Sequence, residues 1–249
     1  LLQLGLQRRG IQPDQEILIV TFSNSAVDVF ANRIAGLLRE RGVLSGLGYR
    51  VRTLHGLAND IIRERPELAG LTNEFQILGE ADTDAILSTC VSAWYRNNHA
   101  LFEDMLADGL NPKQKEKVTQ QDLPDLIKES SLAFIKTAKD YLLTPELLEK
   151  KLESSFLRSN PLMKMGLEIY RDYQNALQYR AAVDFADLIR LAYQCLREDP
   201  SLTSLLQYRW PYILEDEAQD SSLLQEKILR ELVGPYGNWV RVGDPNQAI

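Results

Sequence analysis

Residues 212–220 read YILEDEAQD. The apolar start followed by acids is typical of a strand buried in a parallel sheet, with the acids at the carboxyl end. Taken alone, this pattern also describes ordinary strand-to-loop transitions. A second such run, NWVRVGDPNQ at 238–247, follows, and its Gly243 comes 23 residues after Asp220. Together the two segments predict two strands of an α/β protein.

The acids of the first segment have a chemical interpretation. In nucleotide-hydrolysing proteins with this kind of strand, the first Asp holds magnesium, usually through water, and the following Glu polarises the attacking water. Adjacent residues at a strand end diverge, so Asp216 is expected to face a metal and Glu217 a terminal phosphate. Glu215 adds a third acid directly before them.

The first seventy residues also show strand and helix patterns. Residues 17–22 (ILIVTF) form an apolar, β-branched run that predicts a fully buried strand. Apolar residues at helical spacing follow, with Ser25 and Asp28 as a capping box and an expected end before Gly42. A second strand around 49–53 completes a β-α-β unit.

The middle of the chain has a different character. From about residue 71 to 180 the strand signal disappears and amphipathic helical stretches repeat, and nine of the ten lysines lie between Lys113 and Lys164. We therefore predict a parallel-sheet domain in two parts, 1–70 and 181–249, interrupted by an all-helical inserted subdomain at 71–180. Surface lysines on ordinary solvated helices explain the lysine distribution equally well.

Composition excludes several classes of protein. The 249 residues are 45% apolar and 25% charged, with a net charge of −7, which excludes a disordered chain and a protein coated with positive charge. Cys90 and Cys195 are far apart and form no metal-binding motif. No apolar run reaches the ~18 residues that span a bilayer, so we expect no membrane association and a cytoplasmic location.

Five short segments occur in one characteristic order: TFSNSAV at 21–27, TLHG at 53–56, DFADL at 184–188, DEAQD at 216–220 and GDPNQAI at 243–249. In this order they resemble the UvrD/Rep-like family of superfamily 1 DNA helicases. The resemblance covers residues 17 to 249. It implies a P-loop NTPase (RecA-like) parallel sheet with helices on both faces, and it places that family's inserted subdomain at the helical block.

The resemblance implies a site for ATP and Mg²⁺. Asp216 would bind the magnesium through water and Glu217 would be the catalytic base, while Gln247 would contact the γ-phosphate. Gln219 and Asp220 would couple this segment to its neighbours. The residues assigned to the nucleotide are Asp216, Gln219, Asp220, Gly243, Asp244 and Gln247. Asp244 is equally well explained as a turn residue before Pro245.

The same resemblance implies contacts with single-stranded DNA and with junctions between single- and double-stranded DNA. Phe22 would stack on bases, Thr21 and Asn24 would bond to the backbone, and Thr53 and His55 would touch it too. Each has a structural alternative: Phe22 as core packing at a strand end, and His55 as an ordinary structural histidine.

Some features of the family pattern are changed or missing. Ser25, Ala218 and Ala248 replace the commoner lysine, aromatic residue and serine. The phosphate-binding loop GxxxxGK[ST] is absent, and no Gly-Lys dipeptide occurs in the 249 residues. We expect the chain to be a fragment, cut between that loop and the second motor domain, and to be inactive alone.

The sequence thus predicts the first motor domain of an ATP-dependent DNA helicase that moves along single strands, 3′ to 5′ by family analogy. Two alternatives stay open. One is the motor part of a helicase–nuclease in recombination or repair, and the other is a non-catalytic nucleic-acid-binding module.

Overall fold

The computed structural model describes residues 12–42, 46–103 and 111–244. These residues divide into two units, one containing the chain up to Asn73 and from Leu188 onward, the other Glu74–Asp187. We call them the first and second unit.

The elements follow one another in three stretches. In the first unit these are β1 (Ile17–Thr21), α1 (Asn24–Glu40), β2 (Tyr49–Thr53), α2 (Leu54–Glu64) and a 3₁₀ turn (Pro66–Ala69). The second unit has β3 (Gln76–Ile77), α3 (Glu80–Asn98), α4 (Ala100–Glu103), α5 (Pro112–Lys117), a π-helical segment (Val118–Asp122), α6 (Leu123–Asp140), α7 (Pro145–Glu153), a 3₁₀ turn (Phe156–Ser159), α8 (Pro161–Tyr179) and β4 (Ala182–Val183). Helix α9 (Phe185–Glu198) leads back to the first unit, which continues with α10 (Pro200–Arg209), β5 (Tyr212–Glu215), a 3₁₀ turn (Ala218–Asp220), α11 (Leu223–Val233) and β6 (Asn238–Arg241).

A four-stranded parallel sheet organises the first unit, in the order β2-β1-β5-β6. Strand β1 lies inside it, pairing Ile17 with Tyr49 of β2 and with Tyr212 of β5. All five β1 residues are buried, as expected for a strand covered on both faces. The predicted α/β fold with a parallel sheet flanked by helices is confirmed.

Helix α1 packs its apolar stripe on this sheet. Val27, Phe30 and Ile34 contact the buried Ile17 and Ile19. The predicted cap at Ser25 is wrong, because the helix is capped two residues earlier by Ser23, whose hydroxyl accepts a hydrogen bond from the Ala26 N–H at 3.2 Å. The predicted end before Gly42 is confirmed, since the last helical residue is Glu40.

The second unit is a helical bundle built on α3, α6 and α8. Its core contains the following residues from these helices: Ile86, Leu87, Val91, Trp94, Ile127, Ile135, Met165, Ile169, Tyr170, Tyr173 and Leu177. The sequence predicts an all-helical subdomain at 71–180. The second unit also contains a small sheet, because Gln76–Ile77 pairs in parallel with Ala182–Val183. Two-residue strands are too short to show a periodicity in sequence, which is why this small sheet was missed.

A buried ionic cluster joins α6 to the end of the second unit. Lys139 Nζ lies 2.6 Å from Asp184 Oδ2 and 2.9 Å from Asp187 Oδ2, and its side chain is 0% exposed. Tyr173 donates a hydrogen bond to the same Asp184 oxygen at 2.9 Å. Burial, followed by the charge of Asp184, raises the pKa of this phenol. The cluster and the β3–β4 pairing hold residues 181–187 in the second unit, whereas the sequence pattern placed them in the sheet domain.

Candidate functional site

The carboxyl ends of β1 and β5 open into a small cleft together with the start of α2. Its volume is about 60 Å³. It is lined by Val20, Thr21, Phe22, Leu54, His55, Glu215, Asp216, Glu217, Ser221 and Gln225. Predicted nucleotide residues and predicted DNA residues therefore share one cleft at one edge of the sheet.

Asp216 is held at this edge by the sheet itself. Its backbone N–H donates to the Val20 carbonyl at 2.9 Å, which extends the β1–β5 ladder by one bond. The side chain is half-buried and faces the cleft. Within the described parts of the chain, no three His, Cys, Asp or Glu side chains form a metal-binding cluster. Asp216 shares the lining of the cleft with two other acids, Glu215 and Glu217.

Glu217 stands on an unusual backbone. Its φ of 54° and ψ of 45° lie in the left-handed region, which costs a residue other than glycine about 1–3 kcal/mol. The turn is closed at once, because the Ala218 N–H donates to the Val242 carbonyl at 2.9 Å. A strained backbone conformation persists where the surrounding structure holds it in place. In this conformation the exposed side chain of Glu217 lines the cleft.

Gln219 connects the acidic turn to the Gly-Asp segment after β6. Its amide nitrogen donates to Glu217 Oε2 at 2.6 Å, and its Oε1 accepts from the Asp244 N–H at 3.1 Å. A Cβ on Gly243 would lie 2.5 Å from that same Oε1, so a side chain at this position would displace the Gln219 amide. The side chain of Gln219 therefore links Glu217 to Asp244.

Two other predicted nucleotide residues contribute less to this picture. Asp220 is exposed at the end of the acidic turn, where its N–H donates to the Glu217 carbonyl at 3.0 Å. Gln247, the predicted contact of the γ-phosphate, lies outside the described residues.

Glu215 is the main feature that was not predicted. The sequence shows it only as an extra acid before Asp216. In the structure it is the last residue of β5, is only 2% exposed and pairs with Arg241 of β6. Its carboxylate accepts hydrogen bonds from Ser221 Oγ at 2.8 Å and Trp239 Nε1 at 3.1 Å, and it forms an ion pair with Arg241 Nε at 2.7 Å. An acid buried at the end of a strand requires such partners, but neither partner strand nor register can be read from sequence alone.

The predicted DNA residues fall into two groups. Phe22 is 64% exposed and Asn24 is exposed at the start of α1, so Phe22 does not belong to the core. The Thr21 side chain is buried, and its hydroxyl donates to the Ser23 carbonyl at 3.2 Å. Thr53 caps α2 by accepting from the Gly56 N–H at 3.1 Å. Both hydroxyls therefore form hydrogen bonds with the backbone of the protein itself.

His55 lies in the wall of the cleft. Burial lowers the pKa of its imidazole, which favours the neutral form at pH 7. In this form it is a polar side chain that exchanges hydrogen bonds without adding positive charge.

An Asp at the end of a strand is also found in P-loop NTPases, where it helps to hold the magnesium ion. Comparison with known families agrees. The family described as "UvrD/REP helicase N-terminal domain" matches residues 4–249, and the chain belongs to this family.

Individual relatives are moderately similar. DNA helicase II of Escherichia coli K12 is 28% identical over 233 residues, which cover 94% of this chain and 27% of that protein. The ATP-dependent DNA helicase PcrA of Leuconostoc citreum is 31% identical over the same coverage of each chain. The chain thus spans about a quarter of the length of these relatives. None of the described helices is long and apolar enough to cross a membrane.

Proposed function

We propose that the intact protein is an ATP-dependent DNA helicase, which couples hydrolysis of Mg-ATP to movement along single-stranded DNA and to unwinding at junctions. The observation that carries this proposal is the shared cleft, where Asp216 and Glu217 line the same space as Phe22 and His55. The 3′ to 5′ direction follows from the family resemblance. Because Asp216, Glu217 and Phe22 line the same cleft, a movement of the two acids on nucleotide binding would be passed directly to a DNA base stacked on Phe22.

The residues of the cleft fit a magnesium ion. Mg²⁺ prefers oxygen ligands and keeps several of its waters, so it is commonly held by one or two carboxylates together with the substrate's phosphates. Asp216 supplies such a carboxylate, and Ser221 lines the same cleft. The ion would supply charge neutralisation at the phosphate oxygens.

The remaining chemistry belongs to the side chains. Glu217 accepts the proton of the attacking water, which requires a carboxylate held at a constant angle. The bond from Gln219 fixes one of its two oxygens. Because Gln219 also contacts the Asp244 N–H, displacement of the Gly243–Asp244 segment by a bound nucleotide would move the base with it.

The intact protein provides the test. We expect Mg²⁺-dependent ATP hydrolysis that single-stranded DNA stimulates, and strand separation of duplexes with a 3′ tail in preference to a 5′ tail. Hydrolysis without any response to DNA would contradict the helicase assignment. The 249 residues alone are proposed to hydrolyse no ATP, because they contain no Gly-Lys pair for the β- and γ-phosphates.

Replacing Phe22 with Ala in the intact protein should weaken binding of single-stranded DNA. Stacking of one base on an aromatic ring contributes about 1–3 kcal/mol, which corresponds to roughly a 5- to 150-fold increase in Kd. Fluorescence anisotropy with a labelled oligonucleotide measures this effect, and Phe22→Trp should retain tight binding.

Val29→Ala is the matched control, since Val29 is 63% exposed on α1 against 64% for Phe22. Equal affinities of the two alanine variants would remove the stacking role. If Phe22→Ala fails to fold while Val29→Ala folds, Phe22 is needed for the fold, and the stacking role is contradicted.

A further inference from the structure

Glu215 and Arg241 form a charge pair between β5 and β6. They are direct partners in the parallel register. Arg241 contacts both carboxylate oxygens, with Nε 2.7 Å from Oε2 and Nη2 3.5 Å from Oε1. The Glu215 side chain is 1% exposed, against 35% for Arg241. The carboxylate is therefore removed from water, while the guanidinium reaches it from the surface.

Three neighbouring side chains contact this pair, namely Trp239, Glu226 and Ser221. Arg241 lies over the Trp239 ring, with 4.7 Å from its guanidinium carbon to the ring centroid, and its Nη1 lies 3.0 Å from Glu226 Oε2 on α11. Ser221 and Trp239 supply two more donors to Glu215. A planar guanidinium presents its N–H donors in a rigid fork, so it can pair with one carboxylate through two nitrogens and stack its flat face on a ring, a geometry that the point charge of an ammonium does not reproduce.

The pair stands at the base of both catalytic segments. Glu215 immediately precedes Asp216, and Arg241 comes two residues before Gly243. Between them the Val242 N–H donates to the Glu215 carbonyl at 2.8 Å. Ser221, which follows the acidic turn, is bonded back to the Glu215 side chain at 2.8 Å. The turn from Asp216 to Asp220 is thus closed at its base by this one carboxylate.

We propose that Glu215 and Arg241 are positioning residues that set the spacing between the acidic turn and the Gly243–Asp244 segment, and thereby place Glu217 for hydrolysis. This inference rests on the proposed ATPase function. Because a buried carboxylate that loses its cation is strongly unfavourable, removal of Arg241 lets water enter or the strand ends separate. Either change moves Glu217 through Gln219, whereas Arg241 is not one of the residues that line the cleft.

The test is Arg241→Met in the intact protein, with Arg230→Met as the matched control. Arg230 also pairs with Glu226, at 2.6 Å, and lies 5.8 Å from the Trp239 ring centroid. Within the described residues, Arg230 forms no hydrogen bond or ion pair with Glu215. The single-turnover rate of ATP hydrolysis should fall about 10- to 100-fold in Arg241→Met, the scale expected for a misplaced catalytic group, while the Kd for ATP stays nearly constant. Arg230→Met should keep both values.

Hydrogen exchange provides a readout that needs no activity. In Arg241→Met, peptides covering 216–222 and 238–244 should exchange faster together, and in Arg230→Met they should not. Equal rates of hydrolysis and exchange in the two variants would overturn the inference.

If Arg241→Met does not fold, Arg241→Lys decides: a parental hydrolysis rate in that variant would show that only charge is needed and would contradict positioning by the guanidinium. A parental protein without ATPase activity contradicts the proposed function, whereas the exchange result still tests the pairing.

Discussion

Replacing Glu217 with Gln in the intact protein should reduce DNA-stimulated ATP hydrolysis by about 10²- to 10⁴-fold, the usual contribution of a general base. The amide has the shape of the carboxylate and still accepts a hydrogen bond from Gln219, so the turn is retained. It does not take a proton from water at neutral pH. The affinity for Mg-ATP should therefore change little.

Steady-state hydrolysis with saturating DNA, together with equilibrium binding of a fluorescent ATP analogue, separates the two effects. Glu40→Gln is the control, because it makes the same chemical change at the exposed last residue of α1. If Glu217→Gln hydrolyses ATP at the parental rate, another group is the base. If it loses affinity for ATP as well, the main role of Glu217 is in binding.

Replacing Lys139 with Met should destabilise the second unit by about 3–5 kcal/mol, the usual cost of breaking a buried ion pair on one side. The methionine fills a similar volume, but Asp184 and Asp187 are left as two negative charges without their shared cation. The small β3–β4 sheet and the start of α9 depend on that cation, since Asp184 directly follows β4.

Hydrogen exchange of α6, α8 and β4 in the intact protein measures this loss locally, which avoids assuming two-state unfolding for a protein of several domains. Lys136→Met is the control, because Lys136 is exposed on the same helix. Equal protection in the two variants would show that the cluster contributes little to stability.

Local signals in the sequence predicted much of the first unit. The apolar runs that became β1 and β5 are buried because parallel strands are covered on both faces, and the acids at the end of β5 follow from the same pattern. The motifs also led to the family that the comparison identified. The cap of α1 was misplaced by two residues because Ser23 and Ser25 are both good caps, and only the backbone of Ser23 is extended there.

Long-range pairs could not be predicted. Lys139 and Asp184 are 45 residues apart, and nothing in the spacing of either residue distinguishes it from a surface charge. Glu215 and Arg241 become partners only through the register of β5 and β6. In both cases the charge is buried by tertiary packing, which local periodicity does not encode. The roles of Asp216, Glu217, Phe22 and the other site residues stay predictions.

The pairing of β1 has a consequence for folding during synthesis. Strand β1 meets β2 early, but its other neighbour is β5, where Ile17 faces Tyr212. On the ribosome one edge of β1 therefore stays without a partner until residues 212–215 have emerged, and an unpaired strand edge is prone to wrong pairing. The second unit is made in between, and its β3–β4 contact joins Gln76 to Ala182. Once that contact forms, residues 76–182 no longer contribute to the flexible loop between β1 and β5. The shorter loop lowers the entropy cost of pairing β5 with β1.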